Sequence, residues 1–291
     1  MKYKSGDDFR RALEERLRRM SLDSGTPILR LRKAVAFERF LARLIKAQPQ
    51  DWVLKGGFMI QLRLGGQSRV TKDIDLLFRQ ALDTDEVHQQ LVEAAALDLG
   101  DWFGFNVAYP SQSGTHLRFE VECFLGGRRF EVFPLDVGTG DLLVGEVEHL
   151  CAPPLLDFAD IEPVSIPSYP VSQQIAEKVH ALTRPYATGG SSRVKDAVDI
   201  LLLAGQSHLR REDLFQALAV TFEVRQTHPL PVCFPDLPKD WQRSLREEAE
   251  KTGLGEITLE EADQRLKAFL DPVFGQRPQG NTWDPLRWEW C

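Results

Sequence analysis

The sequence lacks any apolar run near the roughly 20 residues that cross a bilayer, so no membrane-spanning segment and no membrane partner are expected. Its first residues, MKYKSGDDFRRALEERLRRM, are too charged for the apolar region of a secretory signal, and a cytoplasmic protein is the expectation. Cysteine is scarce: Cys123, Cys151, Cys233 and Cys291 are scattered with no CxxC spacing. They read as reduced thiols, which excludes both a zinc site and a disulfide framework. Six histidines (His88, His116, His149, His180, His208 and His228) show no HExxH or paired spacing, and no GxSxG is present. Zinc-protease and serine-hydrolase chemistry therefore have no motif to stand on, and His180 reads as an ordinary helix residue. No internal repeat or low-complexity tract appears.

What is present is an ordinary globular composition, 43% apolar and 27% charged over 291 residues, enough for one large domain or two modest ones. The formal charge of −7 is unevenly spread. Residues 1–46 hold thirteen Lys or Arg against six acids, a net +7, which leaves −14 for the rest of the chain. Such a basic segment is either a solvated helical face or a face that meets phosphate.

Helical period predicts helices over 7–20 and 28–46, separated by Ser24-Gly25-Thr26-Pro27. Trp52-Val53-Leu54 is a short buried strand, Gly56-Gly57 a tight turn, Phe58–Leu64 two helical turns and Val70–Phe78 a strand. Residues 83–99 read as a helix capped by Asp83 or Thr84. After a loop, HLRFEVECFL and RRFEVFPLDV flank Gly126-Gly127, a hairpin signal. Residues 138–169 read as a connection. Helices follow over 172–182, 194–204, 210–222, 239–252 and 258–270. The three tryptophans of the final RPQGNTWDPLRWEWC are expected to clamp the tail onto the protein rather than stack on bases.

Chemistry concentrates in LKGGFMIQLRLGGQSRVTKDIDLLF, residues 54–78. Side chains of a strand alternate, so Asp73 and Asp75 share a face and their Cα atoms lie about 6.6 Å apart. Two anions on one side of an apolar strand are costly to desolvate unless a cation sits between them, and a hard divalent ion with oxygen ligands answers that need. Asp136 is the candidate third carboxylate. Alternation along FEVFPLDV puts it on the face of Phe130 and Val132, the inward face if those rings pack. Three such acids suit a two-metal phosphoryl-transfer site. Taken alone, the Asp-x-Asp pair also fits a solvated strand end. Gly56-Gly57 at a strand-to-helix junction suits a triphosphate, with Lys55 adding a point charge, and equally suits a plain turn.

LKGG, a short helix and KDIDLLF together resemble the first motif of the polymerase-β-type nucleotidyltransferases. The fifteen-residue spacer between Gly57 and Asp73 is slightly long for the broad superfamily and closer to its AbiEii/AbiGii, MenT-like toxin branch. Further along, QQIAEKVHALTRPYATGGSSRVKDAVDILLL is similar to that branch's lysine helix followed by a basic-Asp-x-x-Asp helix, with Lys178, Lys195, Asp196 and Asp199. Read without the resemblance, Lys178 borders an apolar stripe on a helix capped by Ser172, Lys195 and Asp199 pair at i,i+4, and all four are surface charges.

The resemblance implies an α/β (α+β) fold, with a polymerase-β-like core and mixed sheet over residues 1–160 and a helical domain over 161–291, the active site lying between them. It implies a Mg²⁺-dependent enzyme that uses an NTP. Asp73, Asp75 and Asp136 would bind metal. Lys55, Gly56, Gly57, Lys178 and Lys195 would contact nucleotide, Asp196 would be an active-site acid and Asp199 a structural partner. The loop YATGGSSR reads as a lid. The implied setting is a toxin–antitoxin or phage-defence pair, with a cognate antitoxin and an RNA acceptor, the 3′ end of a tRNA first. Transfer to a protein or small-molecule hydroxyl, or a non-catalytic binding module, are the competing readings.

Overall fold

A computed structural model describes residues 2–111, 116–185, 193–275 and 280–291. The chain divides into two compact units. The first comprises Met1–Arg63, Val70–Leu142 and Val147–Ser168; the second Leu64–Arg69, Leu143–Glu146 and Tyr169–Cys291. The YATGGSSR loop lies, but for Arg193, outside the described residues.

The first unit is built on a mixed seven-stranded sheet. In chain order its elements are α1 (Gly6–Ser24), α2 (Ile28–Ala47), β1 (Trp52–Lys55), α3 (Gly56–Leu64), β2 (Ile74–Phe78), α4 (Thr84–Ala95), β3 (Phe103–Val107), β4 (His116–Leu125), β5 (Arg128–Thr139), β6 (Glu148–Cys151) and β7 (Ser165–Ser168). The strands lie in the order β3-β4-β5-β2-β1-β7-β6. β2 runs parallel to β5 and β1 to β7, while the remaining neighbours are antiparallel. Rings drive the packing: Phe37 of α2 stands edge-on to Phe58 and Phe133, and Phe40 packs on Phe105 and Phe133. Each such buried ring contributes about 2–3 kcal/mol, which seats α2 on one face of the sheet and leaves the opposite face for polar groups.

Several expectations are corrected here. The loop before the hairpin contains β3, and the 138–169 connection contains β6 and β7, short segments whose mixed composition hides strand alternation. β2 begins at Ile74, so Asp73 sits one residue before the strand. Opposite Cys123 and Phe124 the β4–β5 register shifts, placing one extra residue, Phe130, in β5. That bulge breaks the alternation: Phe133, Leu135 and Val137 face the core, and Asp136 points the other way from them.

The basic charge of α2 is largely internal. Arg39 and Arg43 converge on Asp101 at 2.7–3.2 Å, all three buried, and Arg32 joins Glu14 to the Phe130 carbonyl. A helix counted as a candidate phosphate face therefore spends these arginines on tying α1 and the hairpin edge together, since a buried guanidinium needs its counter-charge within the fold.

The second unit holds α5 (Val171–Thr183), α6 (Val194–Ala204), β8 (Leu209–Arg210), α7 (Arg211–Arg225), α8 (Gln242–Ala249), α9 (Leu259–Phe274), β9 (Thr282–Asp284) and β10 (Glu289–Trp290). Pro170, not Ser172, stands at the N-cap of α5. The three tail tryptophans clamp as expected: Trp283, Trp288 and Trp290 donate through their indole N–H groups to the carbonyls of Ala204, Arg265 and Phe269. Among the described residues no helix is long and apolar enough to cross a membrane.

Candidate active site

Lys55 on β1 pairs with Asp75 on β2, Asp75 with Asp136 on β5, and Asp136 with Arg118 on β4. Directly paired residues leave a pleated sheet on the same face. Four side chains thus form one transverse row, positive–negative–negative–positive, and the two acids occupy adjacent strands about 4.8 Å apart. Asp73, just upstream of β2, accepts a 2.9 Å hydrogen bond from Thr71 Oγ1 and lies close enough to act on Asp136. Burial, seconded by Asp73, pushes the Asp136 carboxyl above its ordinary value against the pull of Arg118 and His116.

Cations close the row at both ends. Arg118 Nη1 donates to Asp136 Oδ2 at 3.3 Å, and Lys55 Nζ to Asp141 Oδ2 at 3.2 Å. Gly138 makes room for the second pair. A Cβ there would stand 3.3 Å from both Lys55 Nζ and Asp141 Oδ2, and 3.8 Å from His116 Nδ1.

Gly56 turns β1 into α3 with φ of +70°, and a Cβ at this position would overlap the Asp75 carboxylate. Glycine is required twice over, for the left-handed backbone and for the approach of Asp75. Gly57 follows inside the first turn of α3, whose early N–H groups lack intrahelical partners and suit an anion.

The donor set of Asp73, Asp75 and Asp136 is hard oxygen, the chemistry Mg²⁺ takes. Adjacent like charges on one face are what a divalent ion neutralises, so the residues fit the group. As described, however, the carboxylates are not drawn into a closed cluster. Among the described residues no three His, Cys, Asp or Glu side chains meet the geometry of a metal cage. Asp136 is turned toward Arg118 and Asp73 toward Thr71.

The second unit brings Lys178, Asp196 and Asp199 together with Arg69. Lys178 Nζ lies 2.7 Å from Asp199 and 3.1 Å from Asp196, and Arg69 grips both Asp199 oxygens at 3.0–3.2 Å. Asp199 is fully buried. Burial alone raises its carboxyl, but Lys178 and Arg69 outweigh that and hold it below the usual carboxylate range. Lys178 is raised for the converse reason, its two acids outweighing burial. The reading of these groups as surface charges is thereby overturned for Lys178 and Asp199, and the i,i+4 pairing of Lys195 with Asp199 gives way to the grip of Lys178 and Arg69. Lys195 is exposed. Arg193 reaches the other oxygen of Asp196 at 3.2 Å.

His180 is a buried residue of α5 with its ring nitrogen satisfied inside the second unit. Its Nε2 lies 2.8 Å from Thr227 Oγ1, and its ring 4.8 Å from that of His228, which in turn bonds Thr183 and Thr227. Burial, with Arg225, His228 and Arg184 nearby, pushes His180 down to about 4.

Sequence reasoning missed Arg118, His116, Asp141, Thr71 and Arg69. His116 and Arg118 occupy the polar phase of HLRFEVECFL, a readable signal, but only the strand register shows which acid faces them.

A family model described as the nucleotidyl transferase AbiEii toxin of a type IV toxin–antitoxin system matches residues 39–291. Among solved structures the chain is similar to MenT4, a nucleotidyltransferase toxin from Mycobacterium tuberculosis H37Rv, with 17% identity and a TM-score of 0.53 over 90% of this chain and 98% of that one. It is also similar to JHP933 from Helicobacter pylori, with 13% identity and a TM-score of 0.46 over 84% of this chain and 93% of that one. The MenT4 likeness speaks for the fold alone. No curated protein sequence matches.

Proposed function

We infer what this chain does from the premise that it belongs to the AbiEii family of nucleotidyltransferase toxins of type IV toxin–antitoxin systems. The proposed reaction moves a nucleoside monophosphate from an NTP to an RNA hydroxyl, with the 3′ end of a tRNA as the first acceptor to test. The acceptor hydroxyl forms a bond to the α-phosphorus as the bond to pyrophosphate breaks in line. Asp73, Asp75 and Asp136 would hold Mg²⁺. When bound, the metal supplies Lewis acidity and offsets the charge on the phosphates. Gly56 and Gly57 offer backbone N–H groups to the triphosphate, and Lys55 adds a charge at the same end of the row. Asp136 accepts the proton of the attacking hydroxyl.

The observation that carries this reading is the transverse row, in which two acids sit side by side against the glycine turn. Such a row has no structural use that Asn or Thr would not serve at lower electrostatic cost. For the second unit we keep the roles the resemblance implies: Lys178 and Lys195 as phosphate contacts and Asp196 as an active-site acid. Asp196 is held less closely than Asp199, at 3.1 Å against 2.7 Å. The RNA acceptor, the cognate antitoxin and the phage-defence setting rest on the family. The N-terminal basic charge adds little to this, since Arg32, Arg39 and Arg43 of α2 are engaged within the fold.

The test is labelling. The purified protein receives each α-³²P NTP with total tRNA in one arm and cell lysate in the other. Label in tRNA that depends on divalent metal, and is absent from an Asp75→Ala variant, is the expected result. Label only in protein or small molecules overturns the RNA acceptor, and no label under any condition overturns the transferase reading.

A further inference from the structure

The reading of Asp136 as a metal ligand leaves its partner, Arg118, without a part. We propose that Arg118 is an exchangeable cation. It neutralises Asp136 before the metal binds, yields that carboxylate to the metal, and then holds a substrate phosphate. This rests on the proposed function and adds a residue the family motifs do not contain.

Three features of the pair support it. Arg118 meets Asp136 by a single 3.3 Å contact, with its side chain 45% exposed and that of Asp136 33%. Arg69 on Asp199, by contrast, makes three contacts at 3.0–3.2 Å to a carboxylate that is 0% exposed. A single-pronged, half-solvated pair is weakly held, so a divalent ion with hard oxygen ligands displaces it. Secondly, the Arg118 backbone is pinned while its side chain is not. Its carbonyl accepts from Ser111 N at 2.9 Å, and its register partner is fixed. The guanidinium can therefore swing about a fixed root. Thirdly, it ends the row on the side opposite Lys55, where a phosphate group lying over the acids meets a planar fork with five donors. That phosphate belongs either to the NTP or to the backbone of the acceptor.

The proposal predicts effects of opposite sign from one substitution, which a purely structural role does not produce. In Arg118→Met, Mn²⁺ measured by calorimetry without nucleotide binds about threefold to tenfold more tightly, because its competitor is gone. The same variant raises KM about tenfold for the substrate whose phosphate Arg118 holds, with kcat less affected. A rise in KM for NTP alone assigns the triphosphate, and a rise for RNA alone assigns the acceptor backbone. Arg118→Lys keeps the charge. It leaves Mn²⁺ affinity near that of the parent and recovers only part of the KM effect. Mn²⁺ affinity unchanged or weakened in Arg118→Met, or both KM values unchanged, overturns the proposal. Asp75→Ala runs alongside as the control: if it still transfers nucleotide, the underlying reading has failed, whereas loss there with no effect at Arg118 rejects this proposal alone.

Discussion

Each unit contains a pair of carboxylates with cations nearby, and the two pairs are built on opposite principles. Around Asp199 every charge is answered: Lys178 and Arg69 grip it at 2.7–3.2 Å in full burial. In the transverse row Asp75 and Asp136 stand beside each other, and the positive groups occupy the outer strands. The first arrangement neutralises itself; the second keeps two like charges adjacent at a partly open surface. Satisfied buried charge is architecture, because removing one partner strands the other. Like charges set side by side on a sheet, with their nearest cation held by one half-exposed 3.3 Å contact, are better suited to an incoming cation, because a divalent ion relieves the repulsion between them.

Exchanging the two kinds of acid for alanine gives the largest effects. Asp75→Ala is expected to cut nucleotide transfer by about a thousandfold or more, at a smaller cost in thermal stability than at the buried Asp199. Asp199→Ala is expected to cost about 3–5 kcal/mol in urea unfolding, with activity falling mainly as folded protein is lost and KM for NTP rising as Lys178 loses its partner. A stable, inactive Asp199→Ala protein would mean that Asp199 acts on the reaction itself and not through the fold. Gly56→Ala comes next. The left-handed backbone costs about 1–3 kcal/mol with a side chain, and the displaced Asp75 carboxylate takes most of the transfer activity with it. Activity retained at parental level would detach the glycine turn from the acids.

The smallest effect is acid sensitivity in the second unit. The folded state holds His180 down to about 4 against an ordinary 6.5, so the unfolded chain binds the proton more readily. The associated stability is complete above about pH 6.5, falls as pH drops from there toward 4, and is flat below; after discounting for solvent screening it amounts to roughly 1–2 kcal/mol. Asp199, depressed when folded, loses its contribution only at lower pH, below the ordinary carboxylate value. Stepwise urea titrations should show the upper window shrink in His180→Gln, leaving the part due to His228, which burial also holds down, while the lower one persists.

Much of the fold could be read from local pattern. The helices of α1, α2, α4 and the second unit follow apolar period, and the β4–β5 hairpin was announced by Gly126-Gly127 between two alternating runs. β3, β6 and β7 escaped because strands of four or five residues are too short to establish a period. Asp136 was picked out as a site residue while its face was misjudged, because one bulged residue inverts alternation and leaves no mark in composition. Lys178 and Asp199 looked like surface charges because a helix pattern records which positions are polar and not what stands across from them.

Covalent order was enough to specify the glycine turn, the Asp-x-Asp spacing, the amphipathic helices and the membership of a family, since each depends on residues close together along the chain. Folding alone could set Arg118 against Asp136, seat Lys178 between two acids and turn the arginines of α2 inward. Those pairings join residues far apart in the chain, and strand register and burial settle them only when the whole sheet and helix layer form together.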